Sequence, residues 1–149
     1  MTPAAPTILI AEDDDNDVFF VERAFKQLQV QNPRRRVKDG EDAIAYLSGD
    51  GEFSDRQQHP LPCFLLLDLK MPRKNGFDVL GWVRQQPGLK RLPIAVLTSS
   101  REVPDINHAY DLGANTYLVK PVKFEELVET IKALNLFWLL LAKIPDITA

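Results

Sequence analysis

The chain has 149 residues, a net charge of −3, and ordinary contents of hydrophobic (45%) and charged (26%) residues. These values are typical of one folded domain and give no basic face for nucleic acid, and no apolar run reaches the roughly eighteen residues of a membrane span. Cys63 is the only cysteine, which excludes an intrachain disulfide. With no N-terminal apolar signal, we expect a cytoplasmic protein without a membrane partner.

Short apolar runs alternate with amphipathic stretches along the chain, as in repeated strand-helix-strand units. This alternation is typical of an α/β fold with a doubly wound parallel sheet. For five strands and five helices we expect the flavodoxin-like order 2-1-3-4-5, which is one of the common orders of such sheets. We expect Asp15 or Asn16 to cap the first helix. The predicted strands are 7–11, 34–37, 63–68, 93–98 and 115–121, and the predicted helices are 15–28, 40–47, 76–86, 104–113 and 124–134.

Two segments lie outside this pattern. Residues 48–62 are rich in Gly, Pro and polar residues and exceed the usual connection of about two to six residues, so we interpret them as an inserted loop. The predicted domain spans residues 1–134, with its core at 7–134, and residues 135–149 follow it. This extension leaves no room for a separate output domain, so we expect the protein to signal by direct contact.

This C-terminal extension begins with the apolar sequence LFWLLL, which monomers seldom expose. We expect it either to pack back onto its own domain or to form a homodimer. The candidate dimer contacts are Leu136, Phe137, Trp138 and Leu140.

Polar residues follow four of the predicted strands at the point where each strand ends. Glu12 and Asp13 follow the first strand, Asp68 ends the third, and Thr98 and Lys120 stand at the ends of the fourth and fifth. The carboxyl ends of parallel strands meet at one edge of a sheet, where such folds bind ligands. The first and third strands are neighbours in the predicted order, about 4.8 Å apart, so the carboxylates should meet.

Crowded carboxylates need a compensating cation. Two unit charges about 4 Å apart repel by roughly 4 kcal/mol at an effective dielectric constant of about 20. Mg²⁺ fits such a site because it takes carboxylate, water and phosphate oxygens as ligands. A calcium loop beginning with Asp13, Asp15 and Asp17 is excluded, because Val18 and Ala24 stand where that loop requires Gly and Glu.

These residue types are those that phosphoryl transfer to a carboxylate requires. Asp68 as nucleophile would form an acyl phosphate. The Lys120 ammonium and the Thr98 hydroxyl would then contact the phosphoryl oxygens, because the barrier falls mainly through positioning and charge neutralisation.

This set of residues, together with the sequence MPRKNGFDVL from Met71 to Leu80, resembles the receiver domain of two-component response regulators over residues 7–134. The resemblance implies that Asp68 is the phosphoacceptor and that a sensor histidine kinase is the donor. It also implies a metal site formed by Glu12, Asp13, Asp68 and the backbone carbonyl of Lys70.

The same resemblance implies a conformational switch. Thr98 is similar to the switch hydroxyl, and Tyr117 to the aromatic side chain that changes rotamer with it. Lys120 corresponds to the phosphoryl-binding lysine, and the bond between Lys120 and Pro121 is expected to be cis.

We expect a phosphoacceptor signalling protein with no small-molecule substrate, rather than a conventional enzyme. Its chemistry would be Mg²⁺-dependent self-phosphorylation and hydrolysis of its own aspartyl phosphate. Lys70 and Ser100 lie two positions beyond Asp68 and Thr98. They should therefore border the path of the attacking water and tune dephosphorylation.

The inserted loop and the FW pair near the C-terminus are similar to the small stand-alone regulators of bacterial and cyanobacterial phytochrome kinases. Two alternatives remain open. A haloacid-dehalogenase-type phosphatase also uses Asp, Mg²⁺, Thr and Lys, although its nucleophile ends the first strand in an Asp-x-Asp motif. The other alternative is a docking module with the receiver fold whose function does not depend on phosphate.

Overall fold

In the computed structural model, which describes residues 6–141 and 143–148, five parallel strands form one sheet. The order is β2-β1-β3-β4-β5, which confirms the predicted doubly wound topology. The strands are β1 (Thr7–Ala11), β2 (Arg34–Val37), β3 (Pro62–Leu67), β4 (Ile94–Thr98) and β5 (Thr116–Val119).

Five helices connect and cover the strands, close to their predicted positions. Asp14, rather than Asp15 or Asn16, caps the first helix, because its carboxylate accepts hydrogen bonds from the amides of Asn16 (2.8 Å) and Asp17 (3.1 Å). The helices are α1 (Asp15–Gln27), α2 (Gly40–Ser48), α3 (Gly76–Gln85), α4 (Val103–Asp111) and α5 (Phe124–Leu134). A 3-10 turn (Gly51–Phe53) lies in the long connection before β3.

The core has two apolar layers, one on each face of the sheet. Leu9 and Leu65 point into the layer formed with α2, α3 and α4. Ile8 and Leu66 point into the layer formed with α1 and α5. Every residue of β3 is buried, as expected for a central parallel strand covered on both faces, so the free positions for chemistry lie at the strand ends.

The C-terminal extension continues α5 as a π-helical segment (Asn135–Leu141). Trp138 packs against Phe64, with 6.0 Å between ring centroids, so this part folds back onto its own domain. Leu136 and Phe137 remain 51% and 57% exposed. The Leu140 side chain lies outside the described residues. None of the helices in the described ranges has the length and apolar character of a membrane span.

The peptide bond between Lys120 and Pro121 is trans, so the expectation of a cis bond is wrong. Trans is the lower-energy form of an X-Pro bond by about 0.5–1 kcal/mol. With the trans bond, the Lys120 ammonium already lies 2.8 Å from Glu12 and 3.4 Å from Asp68, so the lysine reaches the site without the rarer isomer.

Candidate functional site

Three carboxylates meet at the carboxyl edge of the sheet, as the sequence predicted. Each of Glu12, Asp13 and Asp68 has an oxygen within 4.8 Å of the others. Glu12 and Asp68 are buried, at 5% and 6% exposed, whereas Asp13 is open to solvent. The pairing of β1 with β3 produces this cluster, because the Asp68 amide donates to the Ala11 carbonyl at 3.0 Å, directly before the acidic pair.

Lys120 supplies the positive charge of the site. Its Nζ lies 2.7 Å from Asp17 Oδ2, 2.8 Å from Glu12 Oε2 and 3.4 Å from Asp68 Oδ2. The backbone places it there, since the Lys120 amide donates to the Thr98 carbonyl at 2.7 Å as β5 ends beside β4. One ammonium therefore contacts three carboxylates.

The charges perturb one another strongly. Burial raises the pKa of Glu12 to about 7, with the charge of Asp68 adding to the rise and the hydrogen bond from Lys120 opposing it. Burial alone would lower the pKa of Lys120, but its hydrogen bonds to Asp17 and Glu12 and the charge of Asp68 raise it above the usual range. The lysine is therefore firmly cationic, and the site still has excess negative charge.

Two buried polar atoms of the site have no hydrogen-bond partner within the described residues. They are Oδ1 of Asp68 and Oγ1 of Thr98, the last residue of β4. Buried polar groups are almost always paired, and an unpaired one costs about 1–3 kcal/mol. These two unpaired groups lie on neighbouring strands. They favour a ligand that accepts a hydrogen bond from Thr98 and is bound by Asp68.

The other predicted site residues surround this centre. Tyr117 is half-buried on β5, and its hydroxyl donates to the Ser100 carbonyl at 3.0 Å. The Ser100 hydroxyl donates to Asp105 Oδ2 at 2.6 Å, so it is engaged with α4. Lys70 is exposed, two residues beyond Asp68. Their roles in switching and dephosphorylation stay predictions.

A cavity of about 230 Å³ extends from the acidic cluster between α1 and α5. Glu12, Asp68 and Lys120 line its polar end, while Phe20 and Phe124 are among its apolar walls. Val122, at its lining, is 96% exposed. The site thus opens to solvent through an apolar rim.

Asp17 is the site residue that sequence reasoning missed. In the sequence it stands out only as part of the excluded calcium loop, yet in the structure it makes the shortest contact to Lys120. The signal was available, because Asp17 lies in the first turn of a helix that starts just after the β1 end, and this turn projects over the same edge. The sequence does not give the direction of α1, which packs beside α5 in the structure.

The family model of the response regulator receiver domain matches residues 8–132 of the chain. Among known proteins, the chain is 34% identical over 138 residues to Response regulator Rcp1 of Synechocystis sp., with 93% of this chain and 92% of Rcp1 covered.

Solved structures agree with this match. Response regulator RPA3017, described in red light signaling of R. palustris, is 38% identical with a TM-score of 0.90, covering 95% of this chain and 99% of that one. The phosphorylated cyanobacterial phytochrome response regulator RcpA is 35% identical with a TM-score of 0.89, covering 96% and 100%. The Mn²⁺-bound form of Rcp1 is 33% identical with a TM-score of 0.85, covering 95% and 99%.

Proposed function

Because the chain belongs to the response regulator receiver domain family, a family of two-component signalling proteins, we propose that it accepts a phosphoryl group on Asp68 from a sensor histidine kinase. We further propose a phytochrome-type kinase as the donor and the cytoplasm as the place where the two proteins meet. The observation that carries the proposal is the buried Asp68 carboxylate, with Oδ1 unpaired, among two further carboxylates and one ammonium.

The donor set fits Mg²⁺. Three carboxylate oxygens lie within 4.8 Å of one another, and hard oxygen ligands of this kind suit Mg²⁺ or Mn²⁺. We propose that Glu12, Asp13, Asp68 and the Lys70 carbonyl hold the ion, with Asp13 the direct ligand of the acidic pair. When bound, Mg²⁺ neutralises the carboxylates and the incoming phosphoryl oxygens.

The protein's own groups then have defined tasks in the transfer. A carboxylate oxygen of Asp68 forms the new O–P bond while the P–N bond to the donor histidine breaks and the imidazole leaves with the electron pair. Lys120 contacts one phosphoryl oxygen, since its ammonium already lies 3.4 Å from Asp68. The Thr98 hydroxyl donates to another phosphoryl oxygen, which gives a partner to an atom that has none among residues 6–141 and 143–148.

The test is to incubate the protein with acetyl phosphate and Mg²⁺ and to follow its intact mass. Wild type should gain one phosphoryl group, removable by hydroxylamine and mapped to Asp68. Asp68→Asn should gain none, whereas the control Asp111→Asn, on the exposed end of α4, should behave as wild type. A wild-type chain that never gains the group from acetyl phosphate or from a kinase would exclude the proposal.

Two other measurements separate the alternatives. Repeated turnover of a small phosphomonoester would identify a phosphatase. Wild-type partner binding and signalling by Asp68→Asn would instead identify a docking module that ignores phosphate.

We propose that Thr98 and Tyr117 transmit the phosphorylation of Asp68 to the protein surface as a conformational change. A phosphoryl group that draws Thr98 inward would vacate space for the Tyr117 ring and release its bond to the Ser100 carbonyl, which measures 3.0 Å. Tyr117→Ala should be phosphorylated normally but lose the coupling between phosphorylation and self-association. Sedimentation of both proteins with and without acetyl phosphate checks this, and equal phosphate-dependent association would contradict it.

We also propose that the C-terminal extension supports a homodimer. Leu136 and Phe137 are exposed, and a groove beside them is lined by β5 and α5 residues, including Leu118 and Ala133. Exposed apolar patches of this kind mark interaction surfaces. Phe137→Ser should lower the dimer fraction in light scattering, whereas the exposed Glu52→Ser in the inserted loop should not.

Dephosphorylation is the remaining expectation. Lys70 is exposed beside the phosphoacceptor and can border the path of an attacking water. We propose that Lys70→Ala alters the lifetime of the aspartyl phosphate, measured as loss of the added mass after donor removal. Ser100→Ala tests the second position. A dephosphorylation rate equal to that of wild type would exclude the role of the substituted residue.

A further inference from the structure

The loop between β3 and α3, residues 69–75, follows the phosphoacceptor directly and contains an unusual backbone conformation. Arg73 has a φ of +64°, in the left-handed region that side-chain-bearing residues rarely adopt. Such outliers persist only where the surroundings determine them, and they cluster at functional sites. The contacts of Arg73 therefore decide the shape of this loop.

The Arg73 guanidinium binds three carboxylates in the first turn of α2 and just before it. It lies 2.8 Å from Asp39, 3.0 Å from Glu41 and 3.1 Å from Asp42. Isolated surface ion pairs contribute little, but this is a network, and Asp39 is 7% exposed. Asp39 also caps α2 through the Asp42 amide at 2.8 Å, so its position is fixed independently of Arg73.

Backbone contacts hold the loop on both sides of this network. The Gly40 amide donates to the Lys74 carbonyl at 2.9 Å, and a Cβ on Gly40 would lie 2.2 Å from that oxygen. At the other end, the Gly76 amide donates to the Leu69 carbonyl at 2.9 Å. The segment between is short, so fixing Arg73 and Lys74 also limits where Lys70 lies.

We infer that Arg73 is a positioning residue for the metal site: by clamping the loop to the start of α2, it keeps the Lys70 carbonyl beside Asp68. The inference rests on the proposed function, because that carbonyl matters only if a metal is bound there. Arg73 itself touches neither the metal nor the phosphoryl group. It acts as outer-shell partners do, by orienting a ligand.

The experiment titrates Mg²⁺ into the metal-free 149-residue chain by calorimetry. Arg73→Ala should raise the Mg²⁺ dissociation constant about tenfold, which is the lower end of the loss in metal affinity that outer-shell changes cause. Arg73→Lys should fall between, because lysine keeps the positive charge but lacks the planar fork of five donors with which the guanidinium binds carboxylates. Arg91→Ala, an exposed arginine just before β4 at the opposite edge of the sheet, should bind as wild type.

Two further measurements separate positioning from a general loss of structure. Arg73→Gly removes the side chain but accepts the positive φ, so it should weaken Mg²⁺ binding as Ala does even if its thermal midpoint stays at the wild-type value. Amide hydrogen exchange of residues 69–75 in metal-free protein should accelerate in both variants, while exchange in β1 should not.

Mg²⁺ affinities of Arg73→Ala and Arg73→Gly equal to wild type would overturn this inference and leave the proposed function intact. A wild-type protein that binds no Mg²⁺ would overturn both.

Discussion

Two polar clusters at opposite edges of the sheet differ in how their buried groups are paired. At the amino edge, Arg84 donates to the carbonyls of Lys90, Leu92 and Gly113 and to the side chain of Asn115, at 2.7–3.0 Å. At the carboxyl edge, one ammonium serves three carboxylates, and a buried carboxylate oxygen and a buried hydroxyl have no partner among the described residues.

The difference shows that stability and chemistry are assigned to opposite ends of the same strands. The Arg84 network joins α3 to the loops before β4 and β5, and each of its acceptors receives a hydrogen bond from the guanidinium. The acidic edge keeps charges and lone pairs that a bound metal ion and phosphoryl group would satisfy, a stability cost that active sites commonly carry. Substitutions at the two edges should therefore have opposite effects.

The largest expected effect is at the amino edge. Arg84→Ala should lower the free energy of unfolding by about 3 kcal/mol, because it removes charge-assisted hydrogen bonds and leaves their acceptor carbonyls without a donor. Urea denaturation measures this loss. Phosphorylation by acetyl phosphate should remain normal well below the denaturation midpoint. A stability within experimental error of wild type would remove the basis of the comparison.

At the carboxyl edge, Asp68→Asn should raise the free energy of unfolding by about 1 kcal/mol in metal-free buffer, because it relieves repulsion among crowded carboxylates. In saturating Mg²⁺ the order should reverse, since wild type gains binding free energy that the variant loses. Urea denaturation with and without Mg²⁺ tests both statements. A variant less stable than wild type under metal-free conditions would show that Asp68 stabilises the site.

A smaller effect is expected for Thr98→Val. The Thr98 hydroxyl is fully buried and has no partner in the described part of the chain, so a methyl group should leave the stability unchanged or raise it by less than about 1 kcal/mol. The same variant should weaken phosphorylation-dependent association. A loss of stability above that range would mean that the hydroxyl is paired in solution before phosphorylation.

The smallest effect concerns Cys63, near the amino end of β3. Burial raises the pKa of its thiol to about 11 from 9.0. A raised pKa means that the folded state binds the proton more tightly, so this stability contribution is present below pH 9 and is lost as pH rises through 11. At pH 8, a thiol reagent should label the folded protein far more slowly than protein in urea. Equal rates would contradict its burial.

Sequence reasoning reached most of the site because its chemistry depends on which residues end the strands. Glu12, Asp13, Asp68 and Lys120 meet as expected, and the helix and strand bounds differ from the predicted ones by only a few residues. It failed where a side chain belongs to a helix that turns back over the strand ends, as with Asp17. It also failed at the trans bond before Pro121, where the resemblance had suggested a cis bond.

The sequence by itself determined the strand-helix alternation and the identity of the groups at the carboxyl edge, because these follow from local periodicity and from which residue terminates each apolar run. Only the tertiary structure decided that Lys120 is shared by three carboxylates and that Arg73 joins the loop after Asp68 to α2. Both contacts depend on the directions in which packed helices approach the sheet. Those directions are set by the fit of side chains in two apolar layers, which no local pattern encodes.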